Sequence, residues 1–248
     1  MPRAPAAHNK SRARRTMVKS TARSRATPMD VDKAVRRELN RRQGGVIGLE
    51  RNFYDKTVGN TSIGTTMTLI NPNSNAETLN SVPQGDGASQ RTADKITMKS
   101  IQVKGTVTRL ADTDLADAPQ GMIAEVFLIL DLYSNGTAPT ATDVLTGPAG
   151  KSMQVVPNAA RFIVLGRKSV VFDSPSMGTD GTNTQTTGGQ IRKFKMFVKL
   201  NHVCRYIATA DAVTSQLDRA LSIVAVSSLA SAPNELLLSY RSRLRFMG

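Results

Sequence analysis

The chain has 248 residues, of which 4% are aromatic and none is tryptophan, and it carries a formal charge of +14 with two histidines and one cysteine. That length buries a real core in one large β domain or two small ones; no apolar run reaches the length of a bilayer span and the charged N-terminus does not read as a signal peptide, so no membrane insertion is expected. Cys204 alone forms no internal disulfide, and with the well-separated His8 and His202 it makes no zinc set; the expectation is a reducing, intracellular setting, unmodified Asn60-Thr61-Ser62 and Asn135-Gly136-Thr137 sequons, and no cofactor.

The charge is concentrated at one end. Residues 1–42 hold thirteen Lys/Arg: Arg3, Lys10, Arg12, Arg14, Arg15, Lys19, Arg23, Arg25, Lys33, Arg36, Arg37, Arg41 and Arg42. Against Asp30, Asp32 and Glu38 the net is +10, which leaves +4 of the +14 for the remaining 206 residues, an ordinary balance for a domain. Residues 1–28 are Ala, Pro, Ser, Thr and Arg with only Met17 and Val18 large and apolar, too little to offset ordering entropy, so this stretch is expected to be disordered alone. From Asp30 to Arg42 a possible cap and the stripe Val31, Val35, Leu39 predict a short helix (30–42), either held against nucleic acid or transient in a solvated arm. Gly44-Gly45 and Gly48 then form a joint, dividing a basic arm (1–45) from a body (46–248).

Beyond Val46 the apolar period is two. An opening strand is expected near Leu49–Val58. Lys95–Leu110 alternates, with Ile96 and Met98 in one phase and Ile101, Val103 and Val107 in the other, so a bulge or bend belongs at Ser100/Ile101. Met122–Tyr133 is nearly continuous apolar sequence, the pattern of a strand covered on both faces. Thr140–Leu145 reads as a helical turn with Thr140 as its cap, inside one of three long loops (71–94, 134–160, 173–190). Phe162–Phe172 reads as a strand interrupted around Gly166-Arg167-Lys168. Ile191–Val203 places Phe194, Met196, Val198 and Leu200 inside and Lys193, Lys195 and Lys199 outside, with His202 in phase with Leu200 at the core edge. Further strands are expected near Tyr206–Ala210, at Leu221–Val226 and at Leu236–Phe246. About eight strands joined by long loops, without an internal repeat, predict an all-β fold: a single eight-stranded antiparallel jelly-roll sandwich behind a disordered basic arm.

A series of motifs in this order resembles the capsid proteins of circular single-stranded DNA viruses that encode a rolling-circle replication protein, the group around circoviruses and geminiviruses. Glu50-Arg51-Asn52-Phe53-Tyr54-Asp55 looks like that family's opening strand. Leu79-Asn80-Ser81-Val82-Pro83-Gln84-Gly85, Gln90-Arg91 and Lys95-Ile96 are similar to its entry into a long strand, with Ala93 departing from a common glycine. Leu128-Ile129-Leu130-Asp131 followed by Asn135-Gly136, Pro139 and Asp143, and then Arg161-Phe162-Ile163-Val164-Leu165, resemble later pieces. The resemblance implies a jelly-roll shell protein that assembles with itself, in about 60 copies for the simplest shell, packages circular single-stranded DNA, and meets the host nuclear import machinery.

Of the candidate chemistry, the arm is strongest. Arg3, Lys10, Arg12, Arg14, Arg15, Lys19, Arg23, Arg25, Arg36, Arg37, Arg41 and Arg42 are of the type that binds phosphates by counterion release without reading bases, and Lys10–Arg15 and Lys19–Arg25 also read as nuclear-localisation signals. In Leu236–Phe246 the odd positions Arg241, Arg243 and Arg245 form a ladder on one face, for which a partner is expected: genome phosphates by the resemblance, or acids of a neighbouring subunit, with plain solvation as the remaining alternative. Phe53 and Tyr54 are base-stacking candidates, with burial in the core as the plainer reading. Gly147-Pro148-Ala149-Gly150-Lys151-Ser152 lacks the spacing of a phosphate loop and is rejected. Asp112, Asp114 and Asp117 form a solvated turn or a cation site shared with a neighbour. No nucleophile has an identifiable base and no carboxylate pair stands out, so an enzyme is not supported. Two alternatives to the DNA-virus coat stay open: a coat protein of a small single-stranded RNA virus, and a cellular basic nucleic-acid-binding structural protein.

Overall fold

Two four-stranded antiparallel sheets face each other across an apolar core. The computed structural model describes residues 52–109, 121–173, 190–228 and 236–248, all within one unit, Leu49–Gly248. The expected arm, its 30–42 helix and the Asp112/Asp114/Asp117 cluster lie outside the described residues.

The strands are β1 (Asn52–Ile63), β2 (Thr68–Leu69), β3 (Lys95–Arg109), β4 (Met122–Asp131), β5 (Leu145–Thr146), β6 (Met153–Gln154), β7 (Phe162–Phe172), β8 (Gln190–Arg205), β9 (Ala220–Ser227) and β10 (Leu236–Met247), with a one-turn helix α1 (Ala141–Val144). One sheet runs β1-β10-β3-β8, the other β2-β9-β4-β7, and β5-β6 form a small hairpin. The first strand of the sandwich pairs with the last, β2 with β9, β3 with β8 and β4 with β7. Such nested pairs form one antiparallel ribbon, and rolling it so that β10 also meets β3 and β9 meets β4 is the jelly-roll connection. The fold is therefore the all-β sandwich expected.

Alternation builds the core. Ile101, Val103 and Val107 of β3, Leu236, Leu238, Tyr240, Leu244 and Phe246 of β10, and Phe194, Met196 and Leu200 of β8 point inward against Ala124, Val126, Leu128 and Leu130 of β4 and Leu221, Ile223 and Ala225 of β9. The phase change in β3 is a bulge between Met98 and Ser100, beside the expected position. β4 is buried on both faces because its other side, with Phe127 and Ile129, packs under α1 and the β5 hairpin through Ala141, Val144, Leu145 and Ala149. The 134–160 segment thus covers one sheet. Thr140 occupies the cap position of α1 but makes no side-chain cap bond.

Two expectations are corrected. β7 is not interrupted at Gly166-Arg167-Lys168; it runs through with a bulge opposite Leu128/Ile129. No strand forms at Tyr206–Ala210: Tyr206 makes one bridge to Gln216 and the chain then turns. The missing strand is β2, and two asparagines explain why so short a strand suffices. Ile70 N–H donates to the Ile223 carbonyl (2.8 Å) and Asn71 Oδ1 accepts from Ile223 N–H (3.0 Å). Leu79 N–H and Asn80 Oδ1 do the same for Leu221, at 2.9 and 2.7 Å. Side-chain amides thereby pair the backbone of β9 where β2 does not reach.

The loops at this end are clamped by Arg91, which is 0% exposed. Its Nε donates to Val82 O (3.0 Å), Nη1 to Ala93 O (2.8 Å) and Nη2 to Ala208 O, while its guanidinium lies 4.2 Å from the Tyr206 ring centre. Tyr206 in turn donates to Asn80 O at 2.6 Å. Arg91→Met leaves three carbonyls without their donor, so urea unfolding should show a loss of about 3 kcal/mol or more, whereas Lys104→Met on the sheet surface should stay within about 0.5 kcal/mol.

Candidate nucleic-acid interface

The outer face of the β1-β10-β3-β8 sheet is built by the same alternation that fills the core. Residues opposite one another in adjacent antiparallel strands share a face and stand about 5 Å apart. The registers therefore set three rows across the sheet: Thr57, Arg241, Lys104, Lys195; then Asp55, Arg243, Gln102, Phe197; then Phe53, Arg245, Ser100, Lys199. Lys193 continues the series beside Thr106 and Ser239.

Asp55 is the carboxylate of this face among the described strand residues, and it answers the ladder's need for a partner. Asp55 Oδ1 accepts from Arg243 Nε (2.7 Å), and Oδ2 accepts from Arg243 Nη2 (2.7 Å) and Arg241 Nη2 (2.8 Å). The bidentate bond from Arg243, with Arg241 adding to it, holds the Asp55 carboxyl below its ordinary value against the opposing effect of burial. Arg245 takes another partner: its guanidinium lies 5.7 Å from the Phe53 ring centre, with Arg243 at 5.8 Å from the same ring. Neither genome nor neighbour is required to hold the ladder, since a carboxylate and a ring on the next strand of the same chain do so. Among the described residues Lys104, Lys195 and Lys199 form no ion pair.

Two aromatics interrupt this basic surface. Phe197 is 50% exposed between Lys195 and Lys199, and Phe53 is 43% exposed beside Arg245. Tyr54, in the opposite phase, is buried in the core, so the two neighbours that were stacking candidates divide between surface and interior. On β10 and β3, between the Arg241/Lys104 and Arg243/Gln102 rows, lies a depression of about 360 Å³ lined by Gln102, Lys104, Arg241, Ser242 and Arg243.

The structure thus gathers Arg241, Arg243 and Arg245 with Lys104, Lys195 and Lys199; Arg3, Lys10, Arg12, Arg14, Arg15, Lys19, Arg23, Arg25, Arg36, Arg37, Arg41 and Arg42 lie outside the described residues. Lys104, Asp55 and Phe197 were not singled out from the sequence. The outward phase of β8 could have flagged Phe197 as an aromatic among lysines, but its row-mates depend on pairing with distant strands.

The other sheet pairs its carboxylates internally. Glu125, fully buried, accepts from Ser152 Oγ (2.6 Å), Ser169 Oγ (3.1 Å) and Arg167. Burial would raise this carboxyl, but these bonds outweigh it and hold it below the usual value. Asp131 accepts both arms of Arg161 at 2.8 Å. Ser152, at the end of the rejected phosphate loop, is thereby a buried support for Glu125. His202 is half-buried, consistent with a core-edge place. Cys204 is buried against Asp218 O (3.1 Å), and desolvation pushes its thiol up to about 12. Among the described residues no group of three or more His, Cys, Asp or Glu is placed to hold a metal, and no helix is long and apolar enough to cross a membrane.

No protein-family model matches the chain, and no curated protein matches it. Solved structures that it is similar to include that of infectious bursal disease virus Gx strain, at 13% identity and a TM-score of 0.27 over 80% of this chain and 32% of that chain. The structure of the Gt strain gives 13% and 0.19 over 79% and 30%, and that of the infectious bursal disease virus VP2 subviral particle gives 12% and 0.18 over 79% and 41%. This chain spans about a third of the length of the first two. The function proposed below rests on this chain's own topology and charge.

Two tests follow from the geometry. Because the Asp55 carboxyl titrates lower folded than unfolded, its stabilisation is present above the unfolded value near pH 4 and is lost as pH falls through the folded value. Asp55→Asn should therefore be less stable than the parent at pH 7, and the gap in thermal midpoint should close in acid. Cys204 should resist a disulfide reagent in the native protein and react at once in denaturant, since only the thiolate attacks.

Proposed function

We propose that this chain is the coat protein of a small icosahedral virus, many copies of which close into a shell around a single-stranded genome. The observation that carries the reading is the charge layout: a jelly-roll body with one sheet covered by its own loop segment, the other presenting rows of Lys and Arg, joined to an N-terminal segment of net +10. Jelly rolls also serve lectins and cupins, so the fold alone decides nothing. A cupin metal site draws on several histidines where this chain has two. A sugar site does not call for rows of cations, whereas a polyanion inside a shell does.

In this reading Arg3 through Arg42 neutralise genome phosphates electrostatically, and Arg241, Arg243 and Arg245 with Lys104, Lys195 and Lys199 form a second contact on the sheet that faces the interior. The motif run at positions 50–165 supports circular single-stranded DNA as the genome. Lys10–Arg15 and Lys19–Arg25 are read as the signals that recruit nuclear import.

Electron microscopy of the purified protein should show uniform spherical particles, and their nucleic acid should be degraded by DNase and not RNase once released. Protein that binds nucleic acid without closing into particles overturns the coat reading, and RNase sensitivity overturns the DNA assignment. Deleting residues 1–28 should leave the thermal midpoint of the body unchanged and lower the 260/280 nm absorbance ratio of particles. Binding to single strands should weaken by about 0.7 log units per log salt for each phosphate contacted.

A further inference from the structure

We infer that the exposed face of the β1-β10-β3-β8 sheet holds single-stranded nucleic acid by stacking bases on Phe53 and Phe197, with the intervening backbone laid over Arg243, Gln102 and the cationic depression beside them. The inference rests on the reading of this face as a genome contact and adds the ligand class it selects.

An edge strand gains protection from aggregation when its outward residues are lysines, and Lys193, Lys195 and Lys199 serve that end on β8. Phe197 works against it: an aromatic half in water in the middle of the lysine series is a liability unless something covers it. The same holds for Phe53 on the opposite edge. The two rings stand three strand spacings and one row of two residues apart, about 16 Å on the diagonal; the side chains of Arg243 and Gln102 lie between them, and the depression that these two share with Lys104 and Arg241 lies beside that line. The arrangement is ring, cationic trough, ring.

A duplex does not fit that sequence of features, because its base faces are already stacked and only its phosphates reach a flat surface. An unpaired strand offers π-faces to both rings and phosphates to the trough, and stacking of this kind tolerates any base. The guanidiniums of Arg243 and Arg245 beside Phe53 add a cation to that platform.

The full chain, mixed with a single-stranded oligonucleotide carrying 5-iodouracil, irradiated and digested, tests this together with lysine acetylation of the same complex. The expected result is base adducts at Phe53 and Phe197 for the single strand and none for the duplex, with Lys104, Lys195 and Lys199 protected from acetylation. At about 0.5 M salt, where phosphate contacts fade, Phe53→Leu with Phe197→Leu should weaken single-strand binding by roughly tenfold or more, and an abasic strand should bind parent and variant alike. Protected lysines without phenylalanine adducts overturn the stacking inference and leave the genome contact standing. Lysines that remain reactive with the oligonucleotide yet become protected by anionic lipid vesicles overturn both.

Discussion

A slip of β10 by one residue would drive Arg241, Arg243 and Arg245 into the sandwich and put Leu238, Tyr240 and Leu244 in water. An unpaired buried charge costs several kcal/mol even after relaxation, so three of them exceed the whole stability of an ordinary domain. This is the constraint on which the sheet depends, since β10 lies between β1 and β3 and its register aligns both. With β10 held, Asp55 must fall opposite Arg243 and Lys104 opposite Arg241, and β3 then passes the register on to Lys195 in β8. The same alternation that makes the core also makes the basic surface; neither could be altered by a shift without destroying the other.

The two sheets solve the problem of their outer faces differently. On the second sheet the outward residues Phe127, Ile129, Val224 and Val226 are apolar and are covered by the segment carrying α1 and β5. Its carboxylates, Glu125 and Asp131, are each tied to an arginine of the next strand or its entry, so these buried charges are compensated locally. On the first sheet the apolar side chains left in water are isolated ones, Phe53 and Phe197 with Ile191 and Val203 toward the two ends of β8, and among the described strand residues the cations outnumber the single carboxylate. Covering is thus an internal matter on one side, while the other side keeps its charges on the surface.

How much of this could be read from the sequence follows from the range of the forces involved. Strong period-two runs such as Leu236–Phe246 and Ile191–Val203 revealed strand, phase and face, because those depend on neighbours two residues away. The β3 bulge was readable for the same reason, as a change of phase at Ser100. Tyr206–Ala210 misled because Tyr206 is buried to pack on Arg91 and to donate to Asn80, a packing role that mimics the start of a strand. β2 could not be seen: two residues carry no period, and the pairing of β9 is completed by Asn71 and Asn80, whose type suggests loops. Asp55 and its two arginines are separated by 186 and 188 residues, so their bond was invisible until β1 was laid beside β10.

Crowding cations on one face also links ligand to fold. Neighbouring strands put Lys104 between Arg241 and Lys195 at about strand spacing, well inside the ~8 Å over which salt at physiological strength screens charge. Asp55 relieves that repulsion at one edge and reaches two of the arginines; the β3–β8 side has no such carboxylate among the described residues. A polyanion laid on the face would supply the missing negative charge, and any ligand that binds the folded state alone stabilises it by mass action. Under the proposed function, the packaged strand is then a structural component of the shell it fills: the sheet surface that is least favourable in the isolated subunit becomes favourable when genome is present, so that assembly around nucleic acid and stability of the subunit are two readings of one electrostatic balance.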